Sequence, residues 1–171
     1  MVRLELLGES HLAHVDSLLD DPEVLRFTRI PVPVPEGFAR RWLDMYEHAR
    51  RDGSREAFAA FDAAGAFAGL ALAPEIDREG AQLELGYIVA SGARGRGLGT
   101  AILRALTQWA FEELGAQRAF LLISVGNAAS LRVAERCGYV QEGVLRSLHL
   151  KQGIRGDATL WSRLPSDPEP R

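Results

Sequence analysis

Apolar residues recur along this chain with two different periods, and the switches between them mark its elements. Val2, Leu4 and Leu6 alternate with Arg3 and Glu5, which predicts a first strand over residues 2–6. A helix opened by Ser10 is expected to run to Leu19. Asp21-Pro22-Glu23 starts a second, short helix with Pro22 near its first position. Between Ile30 and Pro35 prolines alternate with Val32 and Val34, so this stretch is extended yet barred from a central ladder. Over residues 36–51, Phe38, Trp42, Met45 and Tyr46 are spaced to share one helical face.

The second half changes period more often. Residues 58–61 and 67–73 read as strands joined by the turn Asp62-Ala-Ala-Gly65, a hairpin. Residues 83–90 form the next strand. Leu98, Ile102, Ala105, Leu106 and Trp109 then line one side of a long helix, with Gly115 placed to cap it. Residues 119–125 are almost continuously apolar, as expected of a strand covered on both faces. Strand, long helix and strand make a βαβ unit, whose crossover is expected to be right-handed. A shorter helix over 127–136 ends at Gly138, and two strands near 139–150 and 157–164 complete the sheet. The tail, residues 165–171, is polar and proline-rich and is expected to be disordered.

Bulk properties narrow the function classes. At 171 residues the chain is long enough for one domain that buries about 70% of its unfolded surface. A net charge of −3 offers no basic footprint for nucleic acid. No apolar run approaches the ~18 residues of a membrane span, and the first residues lack the apolar core of a secretory signal. The single cysteine excludes an internal disulfide and suits a reducing compartment, so a cytoplasmic protein is expected. His11, His14, His48 and His149 have no metal-ligand spacing with Cys137 or with each other, and no metal is expected.

The chemistry concentrates in Arg94-Gly95-Arg96-Gly97-Leu98-Gly99-Thr100, between an apolar strand and an amphipathic helix. Glycines let the turn's backbone approach a ligand closely, and the helix start adds free N–H groups and roughly half a positive charge. An anion such as a phosphate or pyrophosphate is the natural occupant. The dinucleotide fingerprint fails, because its third glycine position holds Thr100, and no Gly-Lys-Ser/Thr follows to make a P-loop. The pattern Arg94-x-x-Gly97-x-Gly99 instead resembles the acyl-coenzyme A signature of the GNAT acetyltransferases. Leu83-Glu-Leu-Gly-Tyr87 resembles that family's central strand. Asn127-Ala-Ala-Ser130-Leu-Arg-Val-Ala-Glu-Arg-Cys-Gly-Tyr139 resembles its downstream segment, with the spacing of the Rim-type subgroup that acetylates ribosomal-protein N-termini. The likeness implies a single GNAT-like α/β (α+β) domain over residues 1–164. Its sheet would be mixed and mostly antiparallel, with a central βαβ unit and helices on both faces. It also implies acetyl-CoA as cosubstrate, and a homodimer, as in many Rim-type relatives.

Candidate site residues follow. Gly95, Gly97, Leu98, Gly99 and Thr100 would meet the pyrophosphate through their backbone, with Arg94 and Arg96 supplying guanidinium groups. Ile88 and Val89 matter through backbone groups that would pair with the pantetheine amides if their strand splays from the next one; a continuous ladder is the alternative. Asn127 is placed to cap the following helix, and the resemblance also puts it against the pantetheine arm. The resemblance brings Ser130 near the thioester sulfur, as a proton donor to the departing thiolate. The family's usual tyrosine acid is replaced by Ala134. Strand alternation sets Glu84 on the face opposite Leu83, Leu85 and Tyr87, as a candidate base or a solvated glutamate. His149 is the fallback base. Cys137, at a helix C-terminus, reads as core rather than nucleophile. Trp42 and Tyr46 either wall an acceptor pocket or belong to the core.

The expected reaction is direct acetyl transfer to a primary amine. An α-amine is deprotonated at pH 7 at a cost of roughly 1 kcal/mol and a lysine at roughly 4.6, so a protein or peptide N-terminus is favoured. Small-molecule amines stand as the alternative. RNA binding through the Arg-Gly pairs and a non-catalytic acyl-CoA sensor are the rival readings, the first opposed by the acidic net charge.

Overall fold

The protein is described by a computed structural model over residues 1–169. Strands β1 (Arg3–Leu6), β2 (Glu56–Phe61), β3 (Phe67–Asp77), β4 (Gln82–Val89), β5 (Arg118–Ser124), β6 (Val140–Lys151) and β7 (Ile154–Arg163) form a single sheet in the order β1-β2-β3-β4-β5-β7-β6. All neighbours are antiparallel except β4 and β5, which run parallel, as a strand–helix–strand unit requires. The helices among the described residues are α1 (Leu12–Asp16), α2 (Pro22–Phe27), α3 (Phe38–Asp52), α4 (Leu98–Glu112) and α5 (Ala128–Arg136). None is long and apolar enough to cross a membrane.

The sheet divides the apolar side chains between two cores. Ile102, Leu103 and Leu106 of α4 pack with Leu83, Leu85, Leu121 and Trp161 on one face. Val15, Leu43 and Tyr46 from the N-terminal helices pack with Ala57, Ala59, Leu70 and Ile88 on the other. Alternation along β4 therefore sends Leu83 and Leu85 one way and Ile88 the other, as the sequence predicts. The second core stops at β4. Phe120 and Leu122 of β5 are consequently half-buried, although an apolar run suggested cover on both faces.

Other departures have local causes. The helix expected from Ser10 begins later: residues 9–11 form a 3-10 turn, and His11 Nδ1 accepts the Gly8 N–H at 3.2 Å. In α3 the buried stripe is Ala39, Leu43, Tyr46 and Ala49, while Met45 is exposed and Trp42 only partly covered. The β3–β4 hairpin runs further than its apolar cores indicated, to Asp77 and Gln82, past a register shift between Leu72 and Glu75. Pro74 lies inside that irregularity, where a missing N–H does least harm. In the tail, a turn joins Leu164 to Asp167 through paired hydrogen bonds of 2.8 and 3.1 Å; residues 170 and 171 lie outside the described residues.

Candidate active site

The parallel ladder is short. Gln82 pairs with Arg118, Leu83 with Ala119 and Glu84 with Phe120, and there the contact ends. From Gly86 to Val89, β4 pairs with β3 alone, while β5 continues from Leu121 to Ser124 against β7. The two strands have separated, and of the sequence alternatives the splayed one holds. Ile88 and Val89 thus keep their β3 partners on one edge and turn the other to a cleft. Gly69 lets β3 lie close against the end of β4. A Cβ there would stand 1.9 Å from the Ile88 carbonyl oxygen, so only glycine permits that approach.

The glycine turn stands just past the splayed end of β4. Gly95 and Gly97 have φ of 72° and 75°, the left-handed region, and Gly97 is the N-cap of α4. Arg94 N–H bonds the Ser91 carbonyl at 3.3 Å, and Ala101 N–H bonds that of Gly97 at 3.2 Å. Among the described residues, no backbone partner is found for the N–H groups of Gly95, Arg96, Gly97, Leu98, Gly99 or Thr100. A Cβ on Gly99 would press on Val89 at 3.3 Å and Tyr87 at 3.4 Å, so the α4 start lies directly over β4. The arginine side chains are differently employed from the expectation. Arg94 binds Asp21 (2.6 Å) and Glu23 (2.8 Å), tying the turn to the start of α2, and Arg96 binds Asp62 at 3.0 Å. Both guanidinium groups already hold carboxylates, so the turn offers its backbone first.

Across the cleft lies the start of α5. Asn127 Oδ1 accepts the Ser130 N–H at 3.1 Å, which is the capping role. Its side-chain NH2 has no protein partner among the described residues. Tyr87 O–H donates to Ser130 Oγ at 3.2 Å, a contact invisible to sequence reasoning because the two are 43 residues apart. Since Ser130 Oγ accepts there, its own proton is free to point elsewhere. Burial pushes the Tyr87 phenol up to about 12, so it stays protonated. Cys137 is fully buried with its Sγ 3.6 Å from the Thr100 carbonyl oxygen, and burial lifts its thiol to about 11. It is a core residue, as expected.

Glu84 occupies the fork where the ladder opens, on the opposite face of the sheet. It is buried, which excludes the solvated alternative. Arg29 Nη2, from the loop after α2, donates to both of its oxygens at 2.8 and 3.1 Å. Burial raises the Glu84 pKa above the ordinary carboxylate value, and Arg29 opposes the rise. Tyr46 is buried beside it in α3, its phenol raised to about 12 by burial and by the Glu84 charge, with Arg55 and Arg29 opposing. Trp42 packs edge-on against Tyr46 with ring centres 4.7 Å apart. Trp42 also lines an apolar cavity of about 10 Å³ with Leu18, Phe38 and Ile88. That space is too small for an acceptor; Trp42 is partly buried against the second core, with Tyr46 between it and the carboxylate side. His149 is half-buried and shifted down by burial and by Arg29, which sets it on the same side. Arg29 is the residue that sequence reading missed. A lone arginine in a proline-flanked loop carries no signal of its partner 55 positions away.

Comparison with known proteins agrees with this geometry. Residues 2–140 match the model of the acetyltransferase (GNAT) domain. A relative in Bacillus subtilis (strain 168), "Putative ribosomal N-acetyltransferase YdaF", is 33% identical over 105 residues. That match spans 61% of this chain and 57% of the relative, so the chain covers little more than half of its length. Among solved structures, RimL, a ribosomal L7/L12 alpha-N-protein acetyltransferase in complex with coenzyme A, has a TM-score of 0.87 at 20% identity, covering 95% of this chain and 93% of its own. Spermidine N-acetyltransferase from Vibrio cholerae, in complex with CoA and spermine, has a TM-score of 0.85 at 21% identity, covering 97% and 96%. At such identities the likeness is one of fold.

Proposed function

The chain belongs to the GNAT acetyltransferase family, and from that premise we propose that it moves the acetyl group of acetyl-CoA directly to a protein or peptide N-terminal α-amine. One observation carries the reading: the β4–β5 ladder opens immediately after a buried carboxylate, Glu84, with unpaired N–H groups of the glycine turn beyond the cleft's other end. The free strand edges suit the two amides of a pantetheine arm, and the turn suits a pyrophosphate. The cleft joins the two faces of the sheet, so donor and acceptor meet without sharing an entrance.

Each step then has a residue. Glu84 takes a proton from the acceptor ammonium, directly or through one water. The neutral amine attacks the thioester carbonyl carbon, the C–N bond forms, and the C–S bond breaks. Ser130, held as a donor by the Tyr87 O–H, gives its proton to the departing sulfur and is reprotonated, through water, by the second proton that the nitrogen sheds as the amide forms. The α-amine is favoured on energetic grounds, because deprotonation at pH 7 costs it roughly 1 kcal/mol against roughly 4.6 for a lysine. The test is release of free coenzyme A thiol from acetyl-CoA in the presence of N-terminal peptides, lysine peptides or polyamines. Turnover confined to free α-amines is expected. Faster turnover of spermidine would move the acceptor to small amines, and binding of coenzyme A without turnover on any amine would make the protein a sensor.

A further inference from the structure

Around Glu84 stand several cationic side chains whose charge the reaction as described leaves unused. Arg29 spends one nitrogen on Glu84, and its side chain is otherwise largely exposed. Arg55 immediately precedes β2; its Nη1 reaches Met45 Sδ on α3 at 3.4 Å, which puts it on the Glu84 side. It has no ion-pair partner among the described residues, and its field reaches both Glu84 and Tyr46. Lys151, at the far end of β6, donates to the carbonyls of Thr28 (3.0 Å) and Ile30, the residues on either side of Arg29. His149 lies two residues earlier on the same strand. Opposing these groups are Glu84 itself and Glu75, its exposed neighbour across β3.

We propose that Arg29 and Arg55 select an acceptor whose amine is followed by carboxylates, an N-terminal peptide with Asp or Glu among its first residues, and turn polycationic amines away. This rests on the acetyl-transfer reading above and names its substrate class. The charge of Glu84 is already matched by Arg29, so an arriving ammonium meets a surplus of positive charge. For a single α-amine that surplus is useful, because a like charge nearby favours the neutral, nucleophilic form. For a spermidine-like chain every further ammonium adds repulsion. A carboxylate one or more residues along has the opposite experience, because the planar guanidinium of Arg55 can bind it in a paired fashion. The distances are compatible. Glu56, next to Arg55, pairs with Ala73 of β3, and Glu75 of β3 pairs with Glu84. Arg55 thus starts about two strand spacings, roughly 10 Å, from Glu84, which an extended peptide crosses in about three residues.

The experiment measures kcat/KM of the full chain for three peptides of equal length. All begin with alanine and continue with two glutamates, two glutamines or two lysines, and spermidine is the fourth acceptor. The acidic peptide is expected to lead the neutral one by roughly fivefold per glutamate, with the lysine peptide and spermidine slowest. The spread should shrink at about 1 M salt, where the screening length falls to about 3 Å. Arg55→Glu should invert the order of the acidic and lysine peptides, with an unchanged coenzyme A thermal shift showing that the variant is folded. Equal rates for the acidic and neutral peptides, or a preference for lysine peptide or spermidine, overturn the inference and leave amine acetylation standing. Failure of all four acceptors overturns both.

Discussion

Glu84 illustrates how one side chain acquires a role from its surroundings. Burial raises its pKa and Arg29 opposes the rise; together they leave a carboxylate more basic than an exposed one. Glu84→Gln is expected to lower kcat by about 100-fold or more while coenzyme A affinity stays nearly unchanged. The sign of the pH effect follows from the acceptor. Below the amine's pKa the proton must be removed and the loss is greatest; above it the amine arrives neutral and the loss shrinks. Full turnover of the variant at neutral pH would pass the role to His149 or to water. Ser130→Ala should cost about tenfold in kcat, since a thiol with a reference pKa of about 8.5 leaves fairly well unaided. Cys137→Ala should leave the rate intact and lower only the melting temperature, because the thiol is buried and held neutral. An acetyl mass increment on Cys137 after incubation without acceptor would contradict direct transfer.

At the scale of elements, the cleft is made by two departures from regularity. A strand leaves its parallel neighbour after Glu84, and a helix begins from left-handed glycines rather than from a capping side chain. Nothing lies within 4 Å of a Cβ built on Gly97, so a side chain there meets no clash; the cost is the φ of 75°, which a β-branched residue strongly resists. Gly97→Val should therefore disturb the turn locally. The expected outcome is a folded protein that has lost most of its coenzyme A thermal shift, read by calorimetry or dye unfolding. Coenzyme A binding as tight as that of the parent would remove the turn as the pyrophosphate site.

At the scale of the molecule, the sheet separates two sets of side chains. The α4–α5 face presents helix starts, free N–H groups and Ser130; the α1–α3 face presents Glu84, Tyr46 and the arginines. In the proposed reaction, donor and acceptor would meet through the opening between β4 and β5. A ligand that threads this opening couples both cores, so coenzyme A at 100-fold its dissociation constant should stabilise the fold by roughly 2.7 kcal/mol. NAD and ATP should do so far less, since each has phosphates for the turn but no pantetheine arm for the strand edges. Equal melting shifts from all three would mean that the turn binds phosphate generically.

The sequence by itself determined whatever is local. The apolar periods located nearly every element, Pro22 and Asp21 marked the α2 start, and Asn127 its own cap, because these depend on residues within a turn of one another. The glycine turn was legible for the same reason: backbone conformation is written in glycine positions. The tertiary structure alone decided which strands part, which side chains meet and where charge accumulates. That Arg94 and Arg96 would hold Asp21, Glu23 and Asp62 could not be read from the sequence, since those partners come from distant parts of the chain. Arg29 had no meaning until the fold set it on Glu84. A pairing between residues 55 positions apart depends on strand order and on how two cores divide the sheet, and neither is encoded in any short stretch of residues.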